Sequence, residues 1–79
     1  MRLRVLIADD ELLARQRLRR LLEEQPDVDV IGEYSTGKDT LAAIQSLTPD
    51  LVMMDVRMPE MNAFDVMEAL GEHPVCAVV

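Results

Sequence analysis

Three aspartates stand directly after apolar runs, at positions where carboxylates could do chemistry. Asp9 and Asp10 follow Leu3–Ala8, and Asp55 follows Leu51–Met54. Carboxylate oxygens suit hard cations such as Mg²⁺, which usually takes one or two carboxylates together with phosphate oxygens and water. A carboxylate beside such an ion can also attack a phosphoryl donor and become an acyl phosphate. These residue types therefore fit a Mg²⁺-dependent site for aspartate phosphorylation.

The same aspartates also fit a plainer role, as solvated residues that end strands and begin helices. Acidic residues are common near a helix start because they complement the helix dipole. The run at residues 9–11, Asp-Asp-Glu, does not by itself separate the two interpretations. The combination of this run with the strand-final Asp55 and the following Met58-Pro59 loop favours the phosphorylation chemistry.

Four short apolar runs, rich in branched side chains, predict strands at residues 3–8, 28–34, 51–54 and 75–79. The first and third runs are largely apolar throughout, which is typical of strands that are buried on both faces. The second run alternates apolar and polar residues at its start, which predicts a less buried strand.

Apolar residues at helical spacing predict a helix after each of the first three strands. The first helix covers residues 12–24. The second begins near the turn at residues 35–37, where a Ser or Thr hydroxyl can cap it, and ends at Pro49. The third follows Asn62 as a cap and stops at Gly71.

This alternation of strands and helices predicts an α/β fold with a parallel sheet and right-handed crossovers. In such sheets, binding sites form beyond the carboxyl ends of the strands, near the switch in strand order. If the first and third strands are neighbours, Asp9, Asp10 and Asp55 converge in one crevice. Three converging carboxylates repel one another, so we expect a divalent cation to bind among them and balance their charge.

Composition narrows the classes of function. The 79 residues allow at most one domain, and a net charge of −7 argues against a nucleic-acid-binding module. The single Cys76 and single His73 argue against an internal disulfide and a zinc site. No stretch is long and apolar enough to span a membrane, and we expect a cytoplasmic protein. The arginines of the first helix are expected to form a solvated face balanced by acidic residues: Arg15, Arg17, Arg19 and Arg20.

Two segments resemble the signature segments of response-regulator receiver domains. They are LIADDE at residues 6–11 and LVMMDVRMP at residues 51–59, and residues 35–37 and 49–52 follow the same pattern. The resemblance covers essentially the whole chain in order and spacing. It implies a flavodoxin-like parallel sheet with helices on both faces, in a module of two-component signal transduction. The helix at residues 12–22 further resembles the subgroup that is joined to a LytTR-type DNA-binding output domain.

The resemblance implies a role for each site residue. Asp55 would be the phosphoacceptor, Asp10 would ligate Mg²⁺ directly, and Asp9 would do so mainly through water. Arg57 would contribute its backbone carbonyl to the metal site, and Pro59 would shape the adjoining loop. The donor would be the phosphohistidine of a sensor histidine kinase. DNA would be contacted only through an output domain.

The chain departs from the family pattern in two places. Ala63 stands where the family commonly has Gly. Residues 1–79 also stop within the fourth predicted strand, so the resemblance implies a partial receiver that would lack the family's last strand and last two helices. In the family, a Ser or Thr at the end of the fourth strand reports the phosphoryl group, and a Lys at the end of the fifth strand pairs with it. Lys38 lies in the wrong segment for the role of that Lys. We expect the uncovered sheet face and the open edge strand to drive self-association into a homo-oligomer.

Three functions compete on these grounds. The leading hypothesis is a non-enzymatic signalling switch, in which phosphorylation of Asp55 changes a surface that a partner reads. The second is a Mg²⁺-dependent phosphohydrolase of the haloacid dehalogenase type, which needs an Asp two residues after the nucleophile, where this chain has Arg57. The third is a protein-interaction module that is not phosphorylated, or a fragment that self-associates.

Overall fold

Strands and helices alternate along the chain in the computed structural model, which describes residues 2–55, 58, 63–70 and 76–78. The strands are β1 (Leu3–Ala8), β2 (Val28–Tyr34), β3 (Leu51–Met54) and β4 (Cys76–Val78). The helices are α1 (Leu12–Glu23), α2 (Gly37–Leu47) and α3 (Ala63–Leu70). The first three strands have the predicted bounds. Helix α1 ends one residue before its predicted end, because Glu24 forms its C-cap.

The start of the third helix answers one question that the sequence raised. Ala63 is the first residue of α3, and Thr48 is the one non-glycine residue with positive φ in the described part of the chain. The replacement of Gly by Ala therefore does not force a left-handed backbone at residue 63. The predicted cap Asn62 and the predicted stop Gly71 lie outside the described residues.

The strands form one parallel sheet in the order β2-β1-β3-β4. The first crossover runs from β1 to β2, and the second returns past β1 to β3. Because crossovers in parallel sheets are right-handed, these opposite directions place α1 and α2 on opposite faces. Ala8 pairs with both Tyr34 and Met54, so β1, β2 and β3 end side by side. The flavodoxin-like α/β fold predicted from the sequence is confirmed.

The central strand β1 anchors the core, because its residues from Val5 to Ala8 are at most 1% exposed. Alternate side chains on a strand point to opposite faces of the sheet. One face packs against α2 and α3 in a single apolar cluster: Leu6, Ala8, Ala43, Ile44, Val52, Met54, Met58 and Val66. Burial of each of the larger side chains stabilises the fold by about 1.5–3 kcal/mol. Among the described residues, no helix has both the length and the apolar character required to cross a membrane.

Helix α2 begins at one of the residues predicted to cap it. Thr36 has an extended backbone, and its Oγ1 accepts a hydrogen bond from the Asp39 N–H at 3.1 Å. The buried Thr40 hydroxyl donates to the Thr36 carbonyl at 2.6 Å. The helix ends at Thr48, whose φ of 44° is left-handed, directly before Pro49. Thr36 and Thr48 therefore define the two ends of α2, the helix that connects β2 to β3.

Helix α1 is held against β2 by ion pairs to Glu33. Arg15 Nε lies 3.3 Å from Glu33 Oε1, and Arg19 donates through Nη1 to Oε2 of the same carboxylate. Arg19 Nε also donates to Glu23 Oε1 at 2.9 Å. The prediction of a solvated arginine face is therefore wrong for Arg15, whose side chain is only 15% exposed. The physical reason is that the Glu33 side chain meets α1 from the neighbouring strand, a partner that helical spacing does not reveal.

The two arginines change the acid–base behaviour of Glu33. The hydrogen bond from Arg19 lowers the pKa of the Glu33 carboxyl, and Arg15 acts in the same direction, whereas burial opposes them. The pairing with Glu33 raises the pKa of Arg19. A carboxyl with a lowered pKa in the folded chain stabilises the fold above its ordinary pKa. That contribution is lost as the pH falls through the lowered value.

We predict that Glu33→Gln removes part of the acid sensitivity of folding. Above the ordinary Glu pKa of 4.5, the substitution should lower the free energy of unfolding by about 1–2 kcal/mol, because two arginines lose a charged acceptor. Below that pH the difference from wild type should shrink, because the wild-type carboxyl becomes protonated too. Urea unfolding between about pH 3 and pH 7 measures this convergence.

Glu24→Gln is the matched control for this experiment, because it removes one exposed carboxylate at the end of α1. Its unfolding free energy should follow the wild-type dependence on pH. Parallel curves for wild type and Glu33→Gln at every pH would contradict the role given to the ion pairs.

Tyr34 occupies the space above Gly32 on β2. A Cβ atom at residue 32 would lie 2.8 Å from Tyr34 Oη, 3.0 Å from Tyr34 Cε2 and 3.2 Å from Leu6 Cδ2. Leu6 is fully buried, so it has little freedom to move away. The register between β1 and β2 also shifts at this point, between Val5 and Leu6. Gly32 therefore leaves the room that the Tyr34 ring fills.

We expect Gly32→Ala to destabilise the fold. Overpacking costs about 1–3 kcal/mol, and the loss of a flexible glycine returns only about 0.5–1 kcal/mol. Urea unfolding measures the net loss in wild type and in a Tyr34→Leu background. The penalty should be smaller when the ring is absent, and equal penalties in the two backgrounds would rule out Tyr34 as the obstacle.

Candidate functional site

The carboxyl ends of β1 and β3 lie side by side, and hydrogen bonds beyond the last paired residues hold the chain there. The Asp55 N–H donates to the Ala8 carbonyl at 3.0 Å. The Asp9 N–H donates to the Tyr34 carbonyl, also at 3.0 Å. The parallel ladder therefore continues one residue past the strands, so the backbones of Asp9 and Asp55 are fixed at the same edge of the sheet.

Three carboxylates meet at this edge, as the sequence predicted. Asp9, Asp10 and Asp55 each contribute one oxygen to a group whose members all lie within 4.8 Å of one another. Asp9 and Asp55 are half-buried, and Asp10 is exposed. Such a group of like charges is unfavourable without a counter-charge. Helix α1 begins shortly after Asp10, and its electropositive N-terminus offsets part of this repulsion.

The donor set fits a small, hard divalent cation. Mg²⁺ binds oxygen at about 2.0–2.1 Å, so two ligands on opposite sides of it are about 4.2 Å apart. The three carboxylate oxygens all lie within 4.8 Å of one another. Side-chain rotation, or one ligand acting through water, accommodates a separation of this order. The cluster consists of carboxylates, which are the ligands Mg²⁺ prefers over the softer imidazole and thiolate groups. The residues present therefore suit the predicted Mg²⁺ site.

Asp9 combines the structural and the functional interpretation of the acidic pair. Its Oδ1 accepts a hydrogen bond from the Glu11 N–H at 2.9 Å, which forms the tight turn that leads into α1. Its backbone carbonyl accepts a hydrogen bond from Arg15 Nη1 at 2.7 Å. A carboxylate has about four lone-pair positions, so this turn does not prevent Asp9 from facing a cation as well. The two interpretations are compatible at this residue.

An apolar groove of about 340 Å³ opens beside the carboxylate cluster. It is lined by residues from β1, α1 and β3: Ala8, Asp9, Ala14, Arg17, Leu18, Leu21, Met53, Met54 and Asp55. Apolar walls reduce the local dielectric constant, which strengthens the attraction between a carboxylate and a cation. The groove therefore places an apolar wall on one side of the aspartates at its edge.

The sequence interpretation missed Arg15 and Glu33 as residues connected to the site. Arg15 reaches both Glu33 on β2 and the carbonyl of Asp9. A signal was present, because Glu33 places a charge near the end of an otherwise largely apolar strand. The predicted contribution of the Arg57 carbonyl and the predicted role of Pro59 lie outside the described residues. Met58, in the same loop, is buried in the core cluster.

Comparison with known proteins points in one direction. A family model described as the response regulator receiver domain matches residues 5–79. The transcriptional regulatory protein BtsR of Escherichia coli K12 is 39% identical over 72 residues, which cover 90% of this chain and 30% of BtsR. A protein-glutamate methylesterase/protein-glutamine glutaminase of Alkalilimnicola ehrlichii is 37% identical over 75 residues, which cover 94% of this chain and 19% of that protein. The chain thus spans less than a third of these curated relatives.

Solved structures agree with the family model. The signal receiver domain of the response regulator NarL from Mycobacterium tuberculosis superposes with a TM-score of 0.92 at 32% identity, covering 98% of this chain and 64% of that one. The response regulator domain of Thermotoga maritima CheB has a TM-score of 0.85 at 27% identity, covering 99% of this chain and 61% of that one.

We predict that Asp10→Asn changes the response of stability to Mg²⁺. Without divalent ions the substitution should raise the free energy of unfolding by up to about 1 kcal/mol, because it removes one of three repelling charges. MgCl₂ should stabilise the wild type and should stabilise Asp10→Asn much less, because the substitution would remove a predicted direct ligand. Thermal unfolding with and without MgCl₂, at constant ionic strength, measures both effects.

Asp29→Asn serves as the control, because it neutralises one exposed carboxylate on β2 outside the cluster. Its unfolding midpoint should rise with MgCl₂ as the wild-type midpoint does. If Asp10→Asn and Asp29→Asn respond equally to MgCl₂, the ion does not bind at the cluster.

Proposed function

The chain belongs to the response regulator receiver domain family, and we propose that it accepts a phosphoryl group on Asp55 in two-component signal transduction. The observation that supports the proposal most directly is the meeting of Asp9, Asp10 and Asp55 within 4.8 Å at the ends of β1 and β3. One carboxylate in such a cluster can act as the nucleophile while the others hold a cation.

In this proposal, Asp55 is the phosphoacceptor, Asp10 ligates Mg²⁺ directly, and Asp9 acts mainly through water. The different surroundings of the neighbouring aspartates support that division. One oxygen of Asp9 is engaged by the Glu11 N–H, whereas Asp10 is exposed. The backbone carbonyl of Arg57 is proposed as a further ligand. Bound Mg²⁺ would supply positive charge against the transferring phosphoryl group.

The proposed transfer is a displacement at phosphorus by a carboxylate oxygen of Asp55. A P–O bond to Asp55 forms while the P–N bond of a histidine kinase's phosphohistidine breaks. The released imidazole nitrogen keeps the bonding electron pair and takes up a proton. The product is an acyl phosphate, which water hydrolyses back to the carboxylate and inorganic phosphate. The fold holds the backbone of Asp55 in place for this reaction, because the Asp55 N–H donates a hydrogen bond to the Ala8 carbonyl.

The proposed consequence is regulatory rather than catalytic: a phosphorylated surface is read by an output domain or a partner in the cytoplasm. The name of BtsR supports transcription regulation as the output, with DNA contacted through a separate domain. Other relatives are named as methylesterases, and that activity is theirs and is not proposed for this receiver. The LytTR-type subgroup predicted from the first helix is not supported by the comparisons. The predicted homo-oligomer stays a prediction.

The alternative is an interaction module whose acidic cluster stays unphosphorylated. Apolar side chains exposed on the helices would suit such a module: Leu12, Leu13, Leu21, Phe64 and Met67. Exposed apolar residues occur on most proteins, so this observation is weaker than the convergence of three carboxylates.

We predict that acetyl phosphate and MgCl₂ add one phosphate-sized mass to the chain. The small donor supplies the phosphoryl group without a kinase: its P–O bond breaks, acetate leaves, and a P–O bond to Asp55 forms. Intact-protein mass spectrometry measures the adduct. Asp55→Asn should lack the adduct because an amide is a poor nucleophile, and EDTA should prevent it in wild type.

Asp29→Asn is again the matched control, because it removes an exposed carboxylate away from the cluster and should still gain the adduct. An equal adduct on Asp55→Asn would move the acceptor to another residue. A wild-type chain that binds Mg²⁺ but gains no adduct would favour the interaction module.

A further inference from the structure

Arg15 connects three parts of the chain that meet beside the carboxylate cluster. It lies on α1, its Nε lies 3.3 Å from Glu33 Oε1 on β2, and its Nη1 donates to the Asp9 carbonyl at 2.7 Å. The Arg15 side chain is 15% exposed and that of Glu33 is 24% exposed. Water therefore competes for these contacts much less than it does at an open surface.

The contact with the Asp9 carbonyl bears on the orientation of the Asp9 carboxylate. The Asp9 N–H is bonded to the Tyr34 carbonyl, and its Oδ1 accepts from the Glu11 N–H. With the carbonyl held by Arg15, the peptide on each side of Asp9 has a hydrogen-bonded partner. The φ and ψ angles of Asp9, and hence the direction of its side chain, are thereby restricted.

The chemistry of arginine suits this task. A guanidinium is planar and presents its donors in a fixed fork, so one contact orients the other. The bond to Glu33 fixes the plane of the guanidinium, and the remaining donor then meets the Asp9 carbonyl at a defined position. A lysine ammonium is a point charge on a flexible stem, so it does not hold both acceptors in one geometry.

We infer that Arg15 is a positioning residue for Asp9, the carboxylate proposed to hold Mg²⁺ mainly through water, with Glu33 as its anchor. The inference rests on the proposed function, because it assigns Arg15 a part in that same Mg²⁺ site. Groups that orient a metal ligand from behind contribute to affinity without touching the ion, and their loss typically weakens binding about 10–100-fold.

Arg19 provides a matched comparison on the same helix. It pairs with the same Glu33 carboxylate and with Glu23, so it also ties α1 to β2. Its hydrogen bonds go to those two glutamates, whereas only Arg15 of this pair reaches Asp9. A substitution at residue 19 therefore removes an α1–β2 tie while leaving the Asp9 tether in place.

The test is a titration of the full chain with MgCl₂, followed by amide NMR shifts, for wild type, Arg15→Met, Arg15→Lys and Arg19→Met. Unfolding midpoints without divalent ions are measured in parallel. Arg15→Met and Arg19→Met should both lower the midpoint. Of these two variants, Arg15→Met alone should raise the Mg²⁺ dissociation constant, by about 10-fold. Arg15→Lys keeps the charge and should still raise the dissociation constant several-fold.

The outcomes separate this inference from the proposed function. A wild-type chain that does not bind Mg²⁺, or binds it unchanged by Asp10→Asn, overturns the metal site and this inference together. Normal wild-type binding with unchanged affinity in Arg15→Met overturns the positioning role alone. Equal weakening by Arg15→Met and Arg19→Met assigns the effect to helix docking, and full affinity in Arg15→Lys assigns it to charge; either result overturns the inference. If Arg15→Met does not fold, the Arg15→Lys titration decides.

Discussion

The parallel pairing of β1 with β3 is the interaction on which the site depends. Each strand is followed by aspartate, and the pairing of Ala8 with Met54 makes the two strands end together. The Asp55 N–H then has an acceptor in the Ala8 carbonyl, so the first residue beyond β3 remains part of the ladder. A slip of one residue would turn the side chains of β3 to the opposite face and separate the aspartates. Core packing and site geometry therefore require the same register.

The acidic cluster and the core make opposite demands on stability. Three carboxylates within 4.8 Å destabilise the chain when no cation balances them. Beneath them, β1 residues from Val5 to Ala8 are almost completely buried, which fixes the strand independently of the cluster. The functional residues therefore lie one step beyond the most stable part of the sheet. Such an arrangement lets a binding site carry unfavourable charge without loss of the fold.

Much of this arrangement could be predicted from local patterns. The first three strands were predicted with their observed bounds, because each apolar run ends at an Asp or at a Ser-Thr-Gly turn. The meeting of Asp9, Asp10 and Asp55 required only that β1 and β3 be neighbours. The contact between Arg15 and Glu33 could not be predicted in this way. By helical spacing alone, the glutamates in α1 and at its two ends are equally good partners for the arginines of this helix. The pairing of Arg15 with Glu33 is determined only when α1 packs against β2.

The Glu33 carboxylate contributes both to the stability of the fold and to the geometry of the site. Residues 15 and 19 differ in which of these two contributions they share. The Glu33 carboxylate accepts from both arginines, so its loss loosens the helix and also frees the guanidinium that holds the Asp9 carbonyl. Arg19 shares only the first of these contributions. Arg15 shares both contributions, because an arginine has enough donors to bind Glu33 on β2 and the Asp9 carbonyl at the same time. The inferred network thus orients Asp9 from the side of the sheet opposite α2. The face formed by α2 and α3 takes no part in that tether, since its contacts are those of the apolar core.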